Sequence, residues 1–234
     1  MQTEQFGRLT ARVIERGKGD GPVVVLLHGF GAPAEDLVPL ADEIEAPPGT
    51  LFIFPGAPLE LPMGYFDARA WWMIDMERLQ RAMMLGEVRD LSRDVPEGLA
   101  EARVMVDELL DQVQARYQVK GERLVLGGFS QGAMLATDVA LRGDRALAGL
   151  VLMSGTLLAE DQWAPRMARR AGLKILQSHG TMDPILPFFL AERLRDLWLA
   201  AGADLKFLPF PGGHQIPREV IEQLSALLAR CAKS

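Results

Sequence analysis

The segment Leu124-Val125-Leu126-Gly127-Gly128-Phe129-Ser130-Gln131-Gly132-Ala133-Met134-Leu135-Ala136 passes from an apolar run, through a glycine-rich turn, into a helix-forming run. Its centre is Gly-x-Ser-x-Gly. Glycines two before and two after the serine allow a turn so tight that side chains there would strike the neighbouring strand and helix, while the serine is pushed outward. Six serines and 23 glycines give roughly 0.06 such motifs by chance, so the match is informative without being decisive. Its position between a buried strand and a helix marks Ser130 as the candidate nucleophile. Ser92, Ser154, Ser178, Ser225 and Ser234 lack the flanking glycines.

Working outward, short apolar runs bounded by Gly or Pro recur at Val23 to Leu27, Leu51 to Phe54, Leu150 to Met153, Lys174 to Gln177 and Leu205 to Leu208, with a weaker one near Leu9 to Ile14. Such runs read as strands buried on both faces. Between them lie helical periods: Leu99, Ala102, Val106, Leu109 or Leu110, Val113 and Tyr117 after Pro96, then Phe188 to Ala201 and Arg218 to Ala232. The alternation predicts an α/β chain with a mostly parallel central sheet of about seven strands and helices on both faces. A length of 234 residues favours one domain over 1–234. The stretch 56–96 breaks the rhythm and reads as a cap-like insertion. It holds five of the eleven methionines, between Met63 and Met84, beside Tyr65, Phe66, Trp71 and Trp72, a soft apolar surface suited to a pocket wall.

Composition narrows the function classes. With 49% hydrophobic and 24% charged residues the chain is globular rather than disordered, and a net charge of −6 argues against nucleic acid as a partner. The single cysteine, Cys231, leaves no Cys-rich zinc site and reads as a half-buried residue on the last helix. Neither a signal sequence nor a membrane span is expected, because charges interrupt the first fifteen residues and the apolar runs are short. A cytoplasmic location follows as an expectation.

A serine hydroxyl needs a base, and the chain has three histidines: His28, His179 and His214. His28, in His28-Gly29-Phe30-Gly31, belongs to a loop whose backbone is more useful than its ring, and His179 continues a strand and braces a turn. His214 follows the last strand on a glycine-rich loop, at the carboxyl end where ligands meet an open α/β sheet, and is the preferred base. The base needs a carboxylate on its far nitrogen. Asp183, just past the strand at Lys174 to Gln177, is favoured over Asp161, in an irregular loop, and Asp204, at a strand's start. Two backbone N–H groups are suited to a developing oxyanion: that of Gln131, after the serine, and that of Phe30 in the glycine loop. No side chain is required by that role, so replacing Gln131 is expected to matter less than the residue's position suggests.

The stretches Leu27-His28-Gly29-Phe30-Gly31, Trp71-Trp72, Gly128-Phe129-Ser130-Gln131-Gly132, His179-Gly180-Thr181-Met182-Asp183-Pro184 and Gly213-His214 resemble the carboxylesterase and phospholipase family of α/β-hydrolases that includes the acyl-protein thioesterases. The resemblance implies an α/β-hydrolase fold with Ser130, Asp183 and His214 as triad, Phe30 and Gln131 as oxyanion donors, and no metal or organic cofactor. It implies hydrolysis of carboxylic esters or thioesters with small to medium acyl chains, with Trp71, Trp72 and Met73 at the substrate and with a homodimer as a family habit. Lysophospholipids, lactones and peptides are alternative substrates for the same triad, and a non-catalytic binding protein is the alternative outside enzymes. Relatives often carry Asp within two residues of the Trp, whereas here the acid comes at Asp75.

Overall fold

A computed structural model describes residues 1–62, 67–75, 77, 81, 84–85 and 90–232. Met63, Tyr65, Phe66, Met76 and Met83 of the expected apolar wall lie outside the described residues. The strands are β1 (Gln2–Phe6), β2 (Leu9–Arg16), β3 (Val23–Leu27), β4 (Thr50–Pro55), β5 (Leu59–Glu60), β6 (Arg69–Ala70), β7 (Leu124–Phe129), β8 (Gly149–Met153), β9 (Lys174–Gly180) and β10 (Asp204–Phe210). The helices are α1 (Leu40–Glu43), α2 (Leu99–Tyr117), α3 (Gln131–Arg142), α4 (Glu160–Met167), α5 (Phe188–Ala200) and α6 (Arg218–Cys231).

The main sheet has eight strands in the order β1-β2-β4-β3-β7-β8-β9-β10. Pairing is antiparallel from β1 to β4 and parallel from β4 to β10. The expected count of about seven falls one short because β1 is a polar edge strand with one buried residue, Phe6, and no apolar run to announce it. Alternate residues of each parallel strand feed opposite faces. Val23, Val25, Leu124, Leu126, Leu150 and Leu152 join one core with α2, α3, α4 and α5. Val24, Leu26, Phe52, Val125, Val151 and Leu176 join the other with α1 and α6. Helix α2 begins at Leu99, three residues beyond Pro96, after Gly98 adopts φ 89°. Cys231 is fully buried rather than half-buried, because α6 turns it onto the sheet, where its thiol donates to the Ala148 carbonyl at 3.3 Å.

Register places the site. Leu27 pairs with Gly128, Phe129 with Met153, Met153 with Ser178, and Gly180 with Phe210, so β3, β7, β8, β9 and β10 release their loops along one edge. That carboxyl edge is where an open parallel sheet presents its ligands. Among the described residues no helix is long and apolar enough to cross a membrane.

Helix α3 is held by a buried carboxylate. Asp138, with no exposed side-chain surface, accepts from Arg103 Nη1 of α2 at 2.8 Å, Arg142 Nε at 3.2 Å and Trp163 Nε1 of α4 at 2.8 Å. Both arginines keep a solvent-facing side, which screens the charge left when their partner is removed. Asp138→Ala should therefore cost about 3 kcal/mol, the lower end for breaking a buried ion pair. Urea unfolding of the two proteins measures this, and an unchanged midpoint contradicts it.

Candidate active site

Ser130 stands between β7 and α3 with φ 54° and ψ −118°. Non-glycine residues rarely adopt such a backbone, and it persists only where the surroundings over-determine it. Here they do. The Ser130 amide donates to the Met153 carbonyl of β8 at 2.8 Å. A methyl group on Gly128 would lie 2.5 Å from the Leu27 carbonyl oxygen, and one on Gly132 would overlap that same oxygen. Strand β3 and helix α3 thus meet at two glycines, and the serine is the residue left to point out of the turn.

The carboxylate and imidazole come from the loops after β9 and β10. These loops are laced together: Thr181 donates to the Phe210 carbonyl at 2.9 Å and Met182 to the Gly212 carbonyl at 3.0 Å. Gly180 abuts the Gly212 and Gly213 backbone with no space for a side chain. Asp183 Oδ1 accepts from the amides of Ile185 at 2.8 Å and Leu186 at 3.0 Å, leaving Oδ2 to accept from His214 Nδ1 at 2.7 Å. Burial by itself pushes the Asp183 pKa up. The hydrogen bond and charge of His214, with the Leu186 and Ile185 amides, outweigh that and hold the carboxyl below its ordinary value. With Nδ1 donating, a neutral His214 has Nε2 as its proton acceptor.

The other histidines are occupied elsewhere. His28 is buried, its Nδ1 bonded to the Gly29 carbonyl at 2.8 Å and its Nε2 accepting from the Ala57 amide at 3.0 Å. His179, also buried, bonds the Leu186 carbonyl through Nε2 at 2.9 Å, with Asp183 Oδ2 3.4 Å away. Burial lowers the pKa of both rings. Asp161 is exposed in the first turn of α4, and Asp204 pairs with Arg230 at the start of β10, so neither reaches His214.

A cavity of about 990 Å3 opens over the elbow. Ser130, Gln131, Phe30 and His214 line it, together with Trp72 and Met73. Ser130 and His214 are brought to the same wall, although among the described residues the Ser130 hydroxyl makes no hydrogen bond. Long or open contacts of this kind are common in unliganded sites and tighten when substrate binds. Among the described residues neither the Phe30 nor the Gln131 amide donates a hydrogen bond to another group. No group of three or more His, Cys, Asp or Glu is placed to hold a metal ion among the described residues.

The chain has relatives among known proteins. The profile of the phospholipase/carboxylesterase family matches residues 9–232. The chain belongs to this family. It is 26% identical over 227 residues to acyl-protein thioesterase 1 of Cryptococcus neoformans, covering 90% of this chain and 92% of that protein. With acyl-protein thioesterase 1 of Eremothecium gossypii it shares 30% identity over 188 residues, covering 77% and 74%. Among solved structures, esterase PE8 superposes with a TM-score of 0.79 at 27% identity over 95% of this chain and 99% of that one. The Bacillus cereus carboxylesterase superposes at 0.74 and 21% identity, covering 95% and 94%. The fold is that of the α/β-hydrolases and the protein is an esterase-type hydrolase.

Two side chains of this phospholipase/carboxylesterase-family enzyme depart from expectation. Trp71, expected at the substrate, is buried away from the cavity, its indole N–H donating to the His28 carbonyl at 2.9 Å. The Gln131 side chain, expected to matter less than its position suggests, is buried and doubly bonded: Oε1 accepts from the Trp71 amide and Nε2 donates to the Trp72 carbonyl, each at 2.9 Å. A buried amide satisfied at both ends is expensive to lose, and the glutamine in the Phe-Ser-Gln motif was the signal that could have found it.

The buried titratable groups set an acid limit. His28 and His179 have folded pKa values below the unfolded one, so their stabilising contribution is full above about pH 6.5 and declines as the pH falls. Asp183 is also depressed, so its share is present above about pH 4 and lost on further acidification. The thermal midpoint should therefore drop in two stages between about pH 7 and about pH 3, the first stage shrinking in His179→Gln. A midpoint that is constant from neutral pH down to about 5 contradicts the histidine assignment.

Proposed function

We propose that this chain hydrolyses carboxylic esters and thioesters of small to medium acyl chains through an acyl-enzyme on Ser130. The observation that carries the reading is the 2.7 Å contact of Asp183 Oδ2 with His214 Nδ1, next to a cavity whose wall holds both His214 and a strained, outward-turned serine.

In this mechanism the Ser130 oxygen attacks the acyl carbon as its proton passes to His214 Nε2, and Asp183 stabilises the imidazolium. The negative oxygen of the tetrahedral intermediate takes up the Phe30 and Gln131 amides, each donor being worth about 3 kcal/mol in related sites. The carbon–oxygen or carbon–sulfur bond then breaks and the leaving group receives the proton from His214. Water repeats the sequence, giving its proton to His214 and its oxygen to the acyl carbon, and Ser130 is released. The apolar groups of Trp72, Met73, Met134, Leu158 and Ile185 line the cavity and suit an acyl chain. We read 56–96 as a cap-like insertion in one domain, since residues 68, 72–75, 91 and 94–96 contribute to that lining. The names of the fungal relatives support thioesters beside oxygen esters.

Ser130→Ala should lower turnover of p-nitrophenyl acetate and butyrate by at least about 10³-fold and abolish labelling by a fluorophosphonate. Unchanged turnover in that variant removes the proposal. A panel of ester, thioester, lysophospholipid, lactone and amide substrates on one preparation ranks the substrate classes.

A further inference from the structure

The two amides assigned to the oxyanion belong to separate elements: Phe30 to the loop after β3, Gln131 to the first turn of α3. Strand pairing aligns their elements only as far as Leu27 and Gly128. Beyond that point the two backbones still pack together, Gly132 against the Leu27 and His28 carbonyls and Gly29 against Ser130, but strand pairing no longer holds them. The requirement is strict, since both donors must lie 2.7–3.1 Å from one developing oxygen, and a misplacement of about 1 Å costs on the order of a hundredfold in rate.

One segment is hydrogen-bonded to both sides. On the loop side, Gly31 donates to the Arg69 carbonyl at 2.8 Å and Arg69 donates to the Ala32 carbonyl at 3.1 Å, tying down the two residues that follow Phe30. The Trp71 indole N–H holds the His28 carbonyl at 2.9 Å, and the His28 ring fixes the Gly29 carbonyl. On the helix side, the Gln131 side chain bridges the Trp71 amide and the Trp72 carbonyl. Trp71, His28 and Gln131 are each no more than 2% exposed, so these bonds form where water does not compete. The chain of contacts from one donor to the other therefore runs Phe30, Gly29, His28, Trp71, Gln131, without a solvent gap.

We propose that the segment 69–72 is a spacer that sets the separation of the two oxyanion donors, with the Trp71 indole and the Gln131 carboxamide as its positioning residues. The proposal rests on the hydrolase reading above. It explains why a tryptophan that does not line the cavity is bonded through its indole N–H, and why the residue after the nucleophile carries a side chain with both a donor and an acceptor.

The test uses Trp71→Phe, which keeps an aromatic ring but loses the N–H, and Gln131→Met, which keeps the length but loses both hydrogen bonds. A short-chain alkyl trifluoromethyl ketone probes the same hole, since its carbonyl carbon bonds to the serine oxygen, its oxygen becomes the anion and the serine proton moves to His214. Each variant should lose at least tenfold in kcat with KM within twofold of wild type, and the ketone's inhibition constant should rise by the factor by which kcat/KM falls. A merely structural role would lower the thermal midpoint and leave that parallel absent. Both variants within twofold of wild type in kcat, or a change confined to KM, overturns the proposal while an inactive Ser130→Ala keeps the hydrolase reading intact. Wild-type turnover in Ser130→Ala overturns both. If neither variant folds, the wild type decides: binding of the ketone should shift the Trp71 indole and Gln131 carboxamide proton resonances, and unshifted signals overturn the proposal.

Discussion

The Leu27 carbonyl oxygen, at the end of β3, lies against backbone on the far side of the Ser130 turn, at Gly128 and Gly132. Because no side chain fits at either position, the turn closes tightly, α3 starts immediately over the sheet, and Ser130 is left with a positive φ. Strain of this kind costs on the order of 1–3 kcal/mol, and it is offset by the amide bond to Met153 and by the burial of α3 on two neighbouring helices. The same approach brings the loop after β3 beside the serine: a methyl group on Gly29 would lie 3.4 Å from Ser130 Cβ. The Ser130 turn and the loop after β3 are thus packed together by backbone contacts.

The three histidines show how environment divides one residue type into different tasks. His28 and His179 are sealed in the protein and bonded to backbone groups, so desolvation keeps them neutral and they serve as fixed hydrogen-bonding braces. His214 is on a loop that borders the cavity, and it meets a carboxylate whose other oxygen is already occupied by two amides. That prior occupation orients Asp183, so its remaining oxygen faces the imidazole without a rotamer search. The lacing of the loops after β9 and β10 makes the pair a single unit.

Much of the architecture was legible in the chain because a parallel strand buried on both faces must be continuously apolar, and such runs stand out at Val23 to Leu27 and Leu150 to Met153. β1 escaped because an edge strand with one buried residue reads as polar. Helix α4 escaped because it is short, opens with two acids and contains Pro165. Ser130, Asp183 and His214 could be nominated from glycine spacing and from their places after strands, which are local signals. The inward turn of Trp71 could not be read, since a tryptophan in an irregular segment has no periodicity to say which way it faces.

By itself the sequence determined the alternation of strands and helices, the glycine-flanked serine and the residue types available for acid–base work, because these depend on side-chain volume, burial and neighbours within a few positions. Only the tertiary structure decided which carboxylate oxygen meets which imidazole nitrogen, that the Gln131 side chain reaches residues 71 and 72, and that one cavity gathers Ser130 and His214. Those contacts join positions 31 to 84 residues apart, and at such separations the partner is set by strand register and loop packing rather than by anything written beside the residue itself.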